Sequence, residues 1–553
     1  MERASLLLSL SPELIFQIVG HSPSTILTLA LTCSSLYRLC QPVLKQHRDA
    51  YKKYKVTSDL SPETVLHLLR AGPTAEIERW HVRELEIWDW RRWSPELPGA
   101  YGLAEEDPSR SALSAQELQR CTRKGTEWWE LSGSDINNIQ NTLESGNDGY
   151  LKTLLIASCP RVHSIRFAKR PKDSWSVLNW IRSTIGWSKC GNGKWPPGFE
   201  SLRNMAVGVS IGLSPHEEDN GSLHGSILTL LLHLPHLKNL YFCDPFEIRH
   251  PEDGNEDEYF DLRELYDFPA GTSSVESLFL DNPINLSDEF FDDLASAPKE
   301  LDTLAVKARD PSLEVFNEAG TLVMDFAREN PQLKRLVFYN GESLCGEYGW
   351  LTYLPSDLKG FKAIKHHSIS ATGITDQACN PEYGHTPDMV KDEWFHEAFP
   401  PCIEAIYVWG ETDLRYDEIE PLEAIDFLLA RIIESGAYKD LKVIYVDNVE
   451  SSARWWGLKG LSFQKTIAAG KKTGVHICTF MNRDDGGYWK NFPAKPDRFD
   501  LKTGPCGGKR PAEYRLNLYT GEWGPDCMGC GECEKCLAVY PAELWKKHKT
   551  VAA

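Results

Sequence analysis

Apolar residues recur along most of the chain in one short spacing, in which an apolar residue is followed three and five positions later by two more. The spacing fits a short strand with alternating inward positions. Val475-His-Ile477 predicts one further strand near residue 477. The complete spacing begins at Val82, Val162, Leu202, Leu237, Val275, Leu301, Leu333, Leu358, Ile403 and Leu441.

A helical pattern precedes several of these predicted strands, and proline often stands where the helix ends, as at Leu234-Pro235 and Asn330-Pro331. Proline stops a helix before the strand begins. Units of one helix and one strand cannot bury their apolar faces alone, so they stack. The pattern predicts an α/β fold that resembles an irregular leucine-rich-repeat solenoid, with parallel strands inside and helices outside.

Residues between the apolar strand positions are predicted to line the concave face of this solenoid, because alternate residues of a strand point to opposite faces. This face mixes aromatic and charged residues, a composition that suits a protein-binding surface. A solvated face without a partner is the alternative. The substrate-binding candidates are Tyr241, Phe279, Arg335, Tyr407 and Tyr445.

The first 50 residues carry a different, helical pattern. Ser11-Pro12-Glu13 predicts a helix start, because serine caps, proline fits the first turn and glutamate complements the positive helix end. A second helix is predicted over about 24–32 and a third over about 34–40, with Pro42 as the next break. Three helices this short expose more apolar surface than they can hide from each other.

This segment, from about Leu6 to His47, resembles an F-box, in which a Leu-Pro-x-Glu-Leu-Leu-x-x-Ile helix is followed by a Leu-rich helix, a Cys and a Leu-x-x-Leu helix. The resemblance implies docking on a Skp-type adaptor and, through it, on a cullin. Ser11 and His21-Ser22 depart from the family pattern. An ordinary helical hairpin packed on the chain's own body is the alternative. The implied adaptor-binding residues are Leu10, Pro12, Leu14, Ile15, Ile18, Leu27 and Leu31.

The expected organisation is an F-box over 1–50, a Trp-rich linker with the first repeat over 51–100, repeats over 101–480 and a Cys-rich tail over 481–553. A polar insertion (94–148) and an acidic one (247–267) interrupt the repeats. F-box, Trp-rich segment (Trp80, Trp88, Trp90, Trp93) and irregular repeats together resemble a large group of fungal F-box proteins, in which the repeats capture the substrate.

The composition of the chain bears on its partners and on its cellular compartment. The 553-residue chain has a formal net charge of −19, which does not favour nucleic acid as a partner. It has no run of 18 apolar residues, so no membrane span is expected. Most of its 15 cysteines are scattered singly. We therefore expect a reducing compartment, cytoplasmic or nuclear.

The densest chemical motif is a run of cysteines near the end of the chain: Cys527, Cys530, Cys533 and Cys536, with Cys506 as a substitute ligand. Thiolates favour zinc or iron–sulfur clusters. Four cysteines in one run are strained around a single tetrahedral ion. Zinc, no metal and an iron–sulfur cluster all stay open. No cofactor is expected to be required.

One motif suggests catalysis. Gly208-Val-Ser210-Ile-Gly212 matches the nucleophile elbow of esterases, but Ser214-Pro215 and an acidic loop follow where that motif needs a helix. We expect a non-enzyme: the substrate-recognition subunit of a Skp–cullin–F-box ubiquitin ligase. The alternatives are a non-degradative F-box and repeat scaffold, a metal-binding interaction protein, and an esterase.

Overall fold

Strands and helices alternate in both of the units into which the chain divides. The first unit contains the residues up to Gly221 together with His233–Lys238, and the second contains most of the remainder. The computed structural model describes residues 10–20, 26–59, 62–87, 115–144, 147–168, 176–190, 194–209, 223–246, 266–281, 283, 286–308, 325–340, 358, 361–378, 387–409, 421–447, 463–480, 515–517 and 522–524.

The first unit combines helices with four parallel strands. Its helices are α1 (Pro12–Gly20), α2 (Ile26–Ala30), α3 (Ser34–Tyr54), α4 (Pro62–Leu69), α5 (Pro73–His81), α6 (Ala115–Thr126), α7 (Gly133–Glu144), α8 (Gly149–Ser158), α9 (Ser176–Cys190) and α10 (Pro197–Ser201). Its strands are β1 (Val56–Ser58), β2 (Glu84–Ile87), β3 (Ser164–Ala168) and β4 (Asn204–Val209).

These four strands are hydrogen-bonded in chain order, β1-β2-β3-β4. Leu85, Ile165 and Met205 stand side by side in register and are buried. Thr57 of β1 occupies the same row, and its hydroxyl donates to the Tyr54 carbonyl at 2.8 Å. A polar residue at this position explains why the apolar spacing does not reveal β1.

The second unit repeats the same alternation. Its described helices are α11 (Gly225–Leu231), α12 (Asp288–Ser296), α13 (Ala371–Ala378), α14 (Asp392–Glu397), α15 (Pro421–Glu434) and α16 (Gln464–Thr473), with a 3₁₀ turn at Pro387–Met389. Its strands are β5 (Leu223–His224), β6 (Asn239–Cys243), β7 (Pro245–Phe246), β8 (Ser277–Asp281), β9 (Thr303–Ala308), β10 (Arg335–Asn340), β11 (His366–Ser370), β12 (Ala405–Trp409), β13 (Val443–Asp447), β14 (His476–Phe480), β15 (Arg515–Asn517) and β16 (Glu522–Gly524).

Eight strands of the second unit form a parallel sheet in the order β6-β8-β9-β10-β11-β12-β13-β14. Separate short pairs are formed by β5 with β7, in parallel, and by β15 with β16, antiparallel. One register row of the large sheet is at most 2% exposed throughout and forms the centre of the core. It contains Leu240, Leu278, Leu304, Leu336, His367, Ile406, Ile444 and Ile477.

The predicted strand at Leu358-Phe361-Ala363 is wrong. The strand of that repeat is β11, which begins two residues after Ile364, as the other matched strands begin two residues after their first apolar residue. His367 takes the place of the central leucine and is fully buried. Because a histidine stands there, the apolar spacing pointed to the wrong register.

The predicted helix break at Pro42 is also wrong, because α3 continues through Pro42 to Tyr54. Proline removes one backbone hydrogen bond from a helix interior. Packing offsets this loss: His47, Ala50 and Tyr54 are buried, and this part of α3 packs against α5. The helix therefore crosses the predicted domain boundary at residue 50.

Part of the predicted polar insertion over 94–148 is structured. Residues 115–144 contain α6 and α7, and Ile139 and Leu143 of α7 are buried. Trp129 is only 3% exposed, and its indole N–H donates to the Ser188 hydroxyl at 3.2 Å. These helices belong to the core of the first unit.

The helices and parallel strands of the two units confirm the predicted α/β fold class.

Candidate docking surface

The first helix begins as the sequence predicts. The Ser11 carbonyl accepts hydrogen bonds from the amides of Leu14 and Ile15, each at 3.1 Å. Hydrogen bonds from its own backbone N–H and from the Ser11 hydroxyl lower the pKa of Glu13. A charged carboxylate in the first turn stabilises the positive end of a helix. These contacts fix where α1 begins.

Three helices enclose a small core of their own. It contains Ile15, Ile26, Ala30, Leu36 and Cys40, each at most 4% exposed. Burial raises the pKa of the Cys40 thiol, as expected of a cysteine that packs as an apolar residue.

The third helix is capped by the cysteine of the F-box-like pattern. Cys33 has an extended backbone at the N-cap of α3, and its Sγ accepts a hydrogen bond from the Leu36 amide at 3.5 Å. A side-chain acceptor at this position satisfies a backbone N–H that would otherwise lack a partner within the helix. Cys33 therefore sets where α3 begins.

Large apolar side chains remain exposed on the outside of this small core. Leu14 and Ile18 of α1 are each 46% exposed, Leu27 of α2 is 60% exposed, and Leu31, directly after α2, is 73% exposed. Only seven large hydrophobic residues in the described part of the chain are this exposed, and these are four of them. Pro12 is exposed as well. Leu14 and Ile18 are four residues apart, as are Leu27 and Leu31, so each pair lies on one side of its helical segment. Exposed apolar pairs of this kind are expected at interaction surfaces.

Two of the residues assigned to this surface lie elsewhere. Ile15 is 2% exposed and belongs to the internal core, so its predicted place on the exposed surface is wrong. Leu14 and Ile15 are adjacent and project about 100° apart around α1, and here Ile15 faces the core while Leu14 faces away from it. Leu10 is partly buried against that same core.

The long helix α3 ties this module to the first strands. His47 of α3 and His81 of α5 share a hydrogen bond of 2.8 Å between Nδ1 and Nε2. Burial lowers the pKa of both rings, that of His81 to about 4, with the neighbouring charges of His47, Arg83 and Arg161 adding to the effect. Both imidazoles are therefore neutral near pH 7, with one ring donating and the other accepting.

The predicted substrate-binding residues lie on one face of the second unit's sheet. Tyr241 stands beside Phe279, and Tyr407 stands beside Tyr445. Tyr241, Phe279 and Tyr407 are at most 6% exposed, so the expectation that they line an open face is wrong at these three positions. The Tyr241 hydroxyl donates to the Asp281 carboxylate, and its ring packs edge-on against Phe279 at 5.0 Å.

Arg335 is half-buried, and the side chain of Tyr445 lies outside the described residues. Several other candidates lie outside them altogether: Trp88, Trp90, Trp93, Ser210, Cys506, Cys527, Cys530, Cys533, Cys536 and most of the acidic stretch 247–267. The zinc site at the cysteines accordingly stays a prediction.

Within the described ranges, no group of three or more His, Cys, Asp and Glu side chains is arranged to hold a metal ion. Among the helices of those same ranges, none combines the length and the apolar character needed to cross a bilayer.

No model of a known protein family matches the sequence, and no curated protein matches it. The functional argument therefore rests on the chain's own residues, above all on the four exposed side chains of the N-terminal helices.

Proposed function

We propose that this chain is an F-box-type receptor subunit of a Skp–cullin–F-box ubiquitin ligase. The observation that carries the proposal is the exposure of Leu14, Ile18, Leu27 and Leu31 around a core that is already closed. Fully burying one such side chain contributes about 1.5–3 kcal/mol. A partner that covers all four can thus bind tightly, and a Skp-type adaptor is the partner that the F-box resemblance implies.

The continuous helix α3 supports a receptor role for the rest of the first unit. It starts in the small core at Leu36 and ends at Tyr54, which is buried immediately before β1. No break separates the module from the repeats of its own unit. An adaptor bound at α1 and α2 would hold those repeats at a defined distance from the ligase.

In this role the chain needs no catalytic residue. Bringing a target close to the ubiquitin-charged partner supplies the rate enhancement through proximity. We propose that the repeat body binds the target protein. Arg335 is the half-buried member of the proposed face, whereas Tyr241 and Tyr407 are buried in the packing of the sheet.

The test is affinity capture of the tagged full-length chain from cells of its own organism, followed by detection of adaptor and cullin. Wild type should capture both. Leu14→Asp/Ile18→Asp should capture neither, because two charges would be placed in an apolar interface. Met389→Asp is the matched control, since Met389 is a 62% exposed apolar residue outside the N-terminal helices.

Equal capture by wild type and the double variant would refute the docking surface. Capture of adaptor without cullin would favour the non-degradative scaffold over a ligase subunit.

A further inference from the structure

The helix α3 presents a basic stripe on the face opposite its buried residues. The stripe consists of Arg38, Lys45, Arg48, Lys52 and, at the C-cap, Lys55, and all five side chains are exposed. At 3.6 residues per turn these positions fall within a band about 100° wide. The buried positions Leu36, Cys40, His47, Ala50 and Tyr54 lie on the other side of the helix.

The stripe is basic, whereas the chain as a whole is strongly acidic. The chain as a whole has a net charge of −19, whereas α3 contains five Lys and Arg residues and one acidic residue, Asp49. No salt bridge involves any of the five stripe residues in the part of the chain that the structure describes. Their charges thus remain available to a partner.

Helix stability does not explain this arrangement. Basic residues favour the negative C-terminal end of a helix, which accounts for Lys52 and Lys55. The same effect gives no benefit to Arg38, Lys45 or Arg48, which lie in the first turns and the middle of α3. Like charges three or four residues apart, such as Arg48 and Lys52, cost about 0.2–0.5 kcal/mol per pair. The one acidic residue of α3 offsets part of this cost, because it lies four residues after Lys45 and three before Lys52. Features that oppose local stability are expected at functional sites.

Two exposed tyrosines lie along one edge of the stripe. Tyr37 is 48% and Tyr51 is 41% exposed, and they are the two aromatic residues among the large exposed hydrophobics of the described residues. They lie 14 residues apart, close to the same edge of the helix. The Lys55 ammonium lies 5.7 Å from the centre of the Tyr51 ring. Tyrosine and arginine are enriched at protein interfaces, so this combination favours a polypeptide partner.

We propose that the basic stripe of α3 is a second docking surface, which binds an acidic segment of a partner protein. From Arg38 to Lys55 it runs about 25 Å, enough to cover four to five turns of an acidic helix. Carboxylates of that segment pair with the stripe cations, and the flanking tyrosines contact its apolar groups. The surface shares no residue with the four apolar side chains that the adaptor is proposed to cover.

The experiment measures binding of a fluorescent Glu-rich peptide, about 17 residues long if helical, to the purified full-length chain. Wild type should bind, and increasing salt should weaken the complex. Arg48→Glu/Lys52→Glu should weaken binding by roughly tenfold or more. Arg48→Lys/Lys52→Arg keeps the charges and should bind like wild type.

The matched control is Lys471→Glu/Lys472→Glu, which makes the same charge change at two exposed residues at the end of α16. It should leave binding unchanged. The proposal is overturned if this control weakens binding as much as the stripe variant, or if wild type fails to bind the peptide. It is also overturned if a DNA duplex binds at the stripe and the peptide does not. Leu14→Asp/Ile18→Asp should still bind the peptide, so this result is separable from adaptor docking.

Discussion

Replacing His367 with leucine should remove about 2 kcal/mol of the stability that the chain loses in acid. His367 occupies the central row of the second unit's sheet, between Leu336 and Ile406, and is fully buried. Burial lowers its pKa to about 3, and a hydrogen bond with the Leu336 backbone acts in the opposite direction. An unfolded histidine titrates near pH 6.5.

The folded and unfolded pKa values of His367 determine whether its contribution to stability rises or falls with pH. Between pH 6.5 and about 3 the unfolded chain binds a proton at this position and the folded chain does not. The contribution of neutral His367 is thus complete above pH 6.5 and declines as the pH falls. Each pH unit below 6.5 costs about 1.4 kcal/mol, so the loss between pH 8 and pH 5 is about 2 kcal/mol.

The assay is urea unfolding of wild type and His367→Leu at pH 8 and pH 5. The variant should lose about 2 kcal/mol less than wild type between the two pH values. Other buried histidines, such as His366, titrate in both proteins and cancel in the comparison. His396→Leu, at an exposed position of α14, should behave like wild type. Equal acid sensitivity of wild type and His367→Leu would refute the reasoning.

Two further predictions concern packing, and urea unfolding tests both. Asp426→Ala should cost about 3 kcal/mol, because its carboxylate accepts hydrogen bonds from the amide and hydroxyl of Thr466 at the start of α16; a loss no larger than that of the exposed Glu423→Ala would contradict this. Gly198→Ala should destabilise the first unit by about 2 kcal/mol or more, since its Cβ would lie 1.8 Å from a backbone carbonyl oxygen of α8. Gly186→Ala, in the interior of α9 with nothing within 4 Å, should instead stabilise by about 0.5–1 kcal/mol; the same sign for both glycines would be inconsistent with this packing.

Strand positions could be predicted wherever the apolar spacing is complete. Nine of the ten predicted three-residue patterns lie at strands, each beginning two residues after the first apolar residue. The two strands that the spacing missed or misplaced, β1 and β11, have Thr57 and His367 in the core row. Thr57 donates a hydrogen bond to the Tyr54 carbonyl and His367 has one with the Leu336 backbone, and only the structure reveals these contacts.

The candidate surfaces were predictable in part. The F-box resemblance identified Leu14, Ile18, Leu27 and Leu31, whose exposure the structure shows. It could not tell which of two adjacent apolar residues faces the core, and so misplaced Ile15. The basic stripe went unnoticed because a break at Pro42 divides its residues between two segments, whereas tertiary packing keeps α3 continuous.

The burial of the sheet aromatics was not predictable either. Alternation along a strand shows which residues share a face, but not whether that face is covered. Tyr241 and Phe279 share a face as expected, yet both are buried. A prediction of exposed aromatics therefore needs the tertiary structure.

The most direct test of the central claim is the affinity of the purified full-length chain for a purified Skp-type adaptor, measured by calorimetry. Wild type should bind one adaptor. Leu27→Ala/Leu31→Ala should lose about 2–4 kcal/mol of binding free energy, because both exposed side chains would be buried on docking. Met389→Ala should bind like wild type. If wild type shows no binding, or if Leu27→Ala/Leu31→Ala binds as tightly as wild type, these helices are not the adaptor-docking surface.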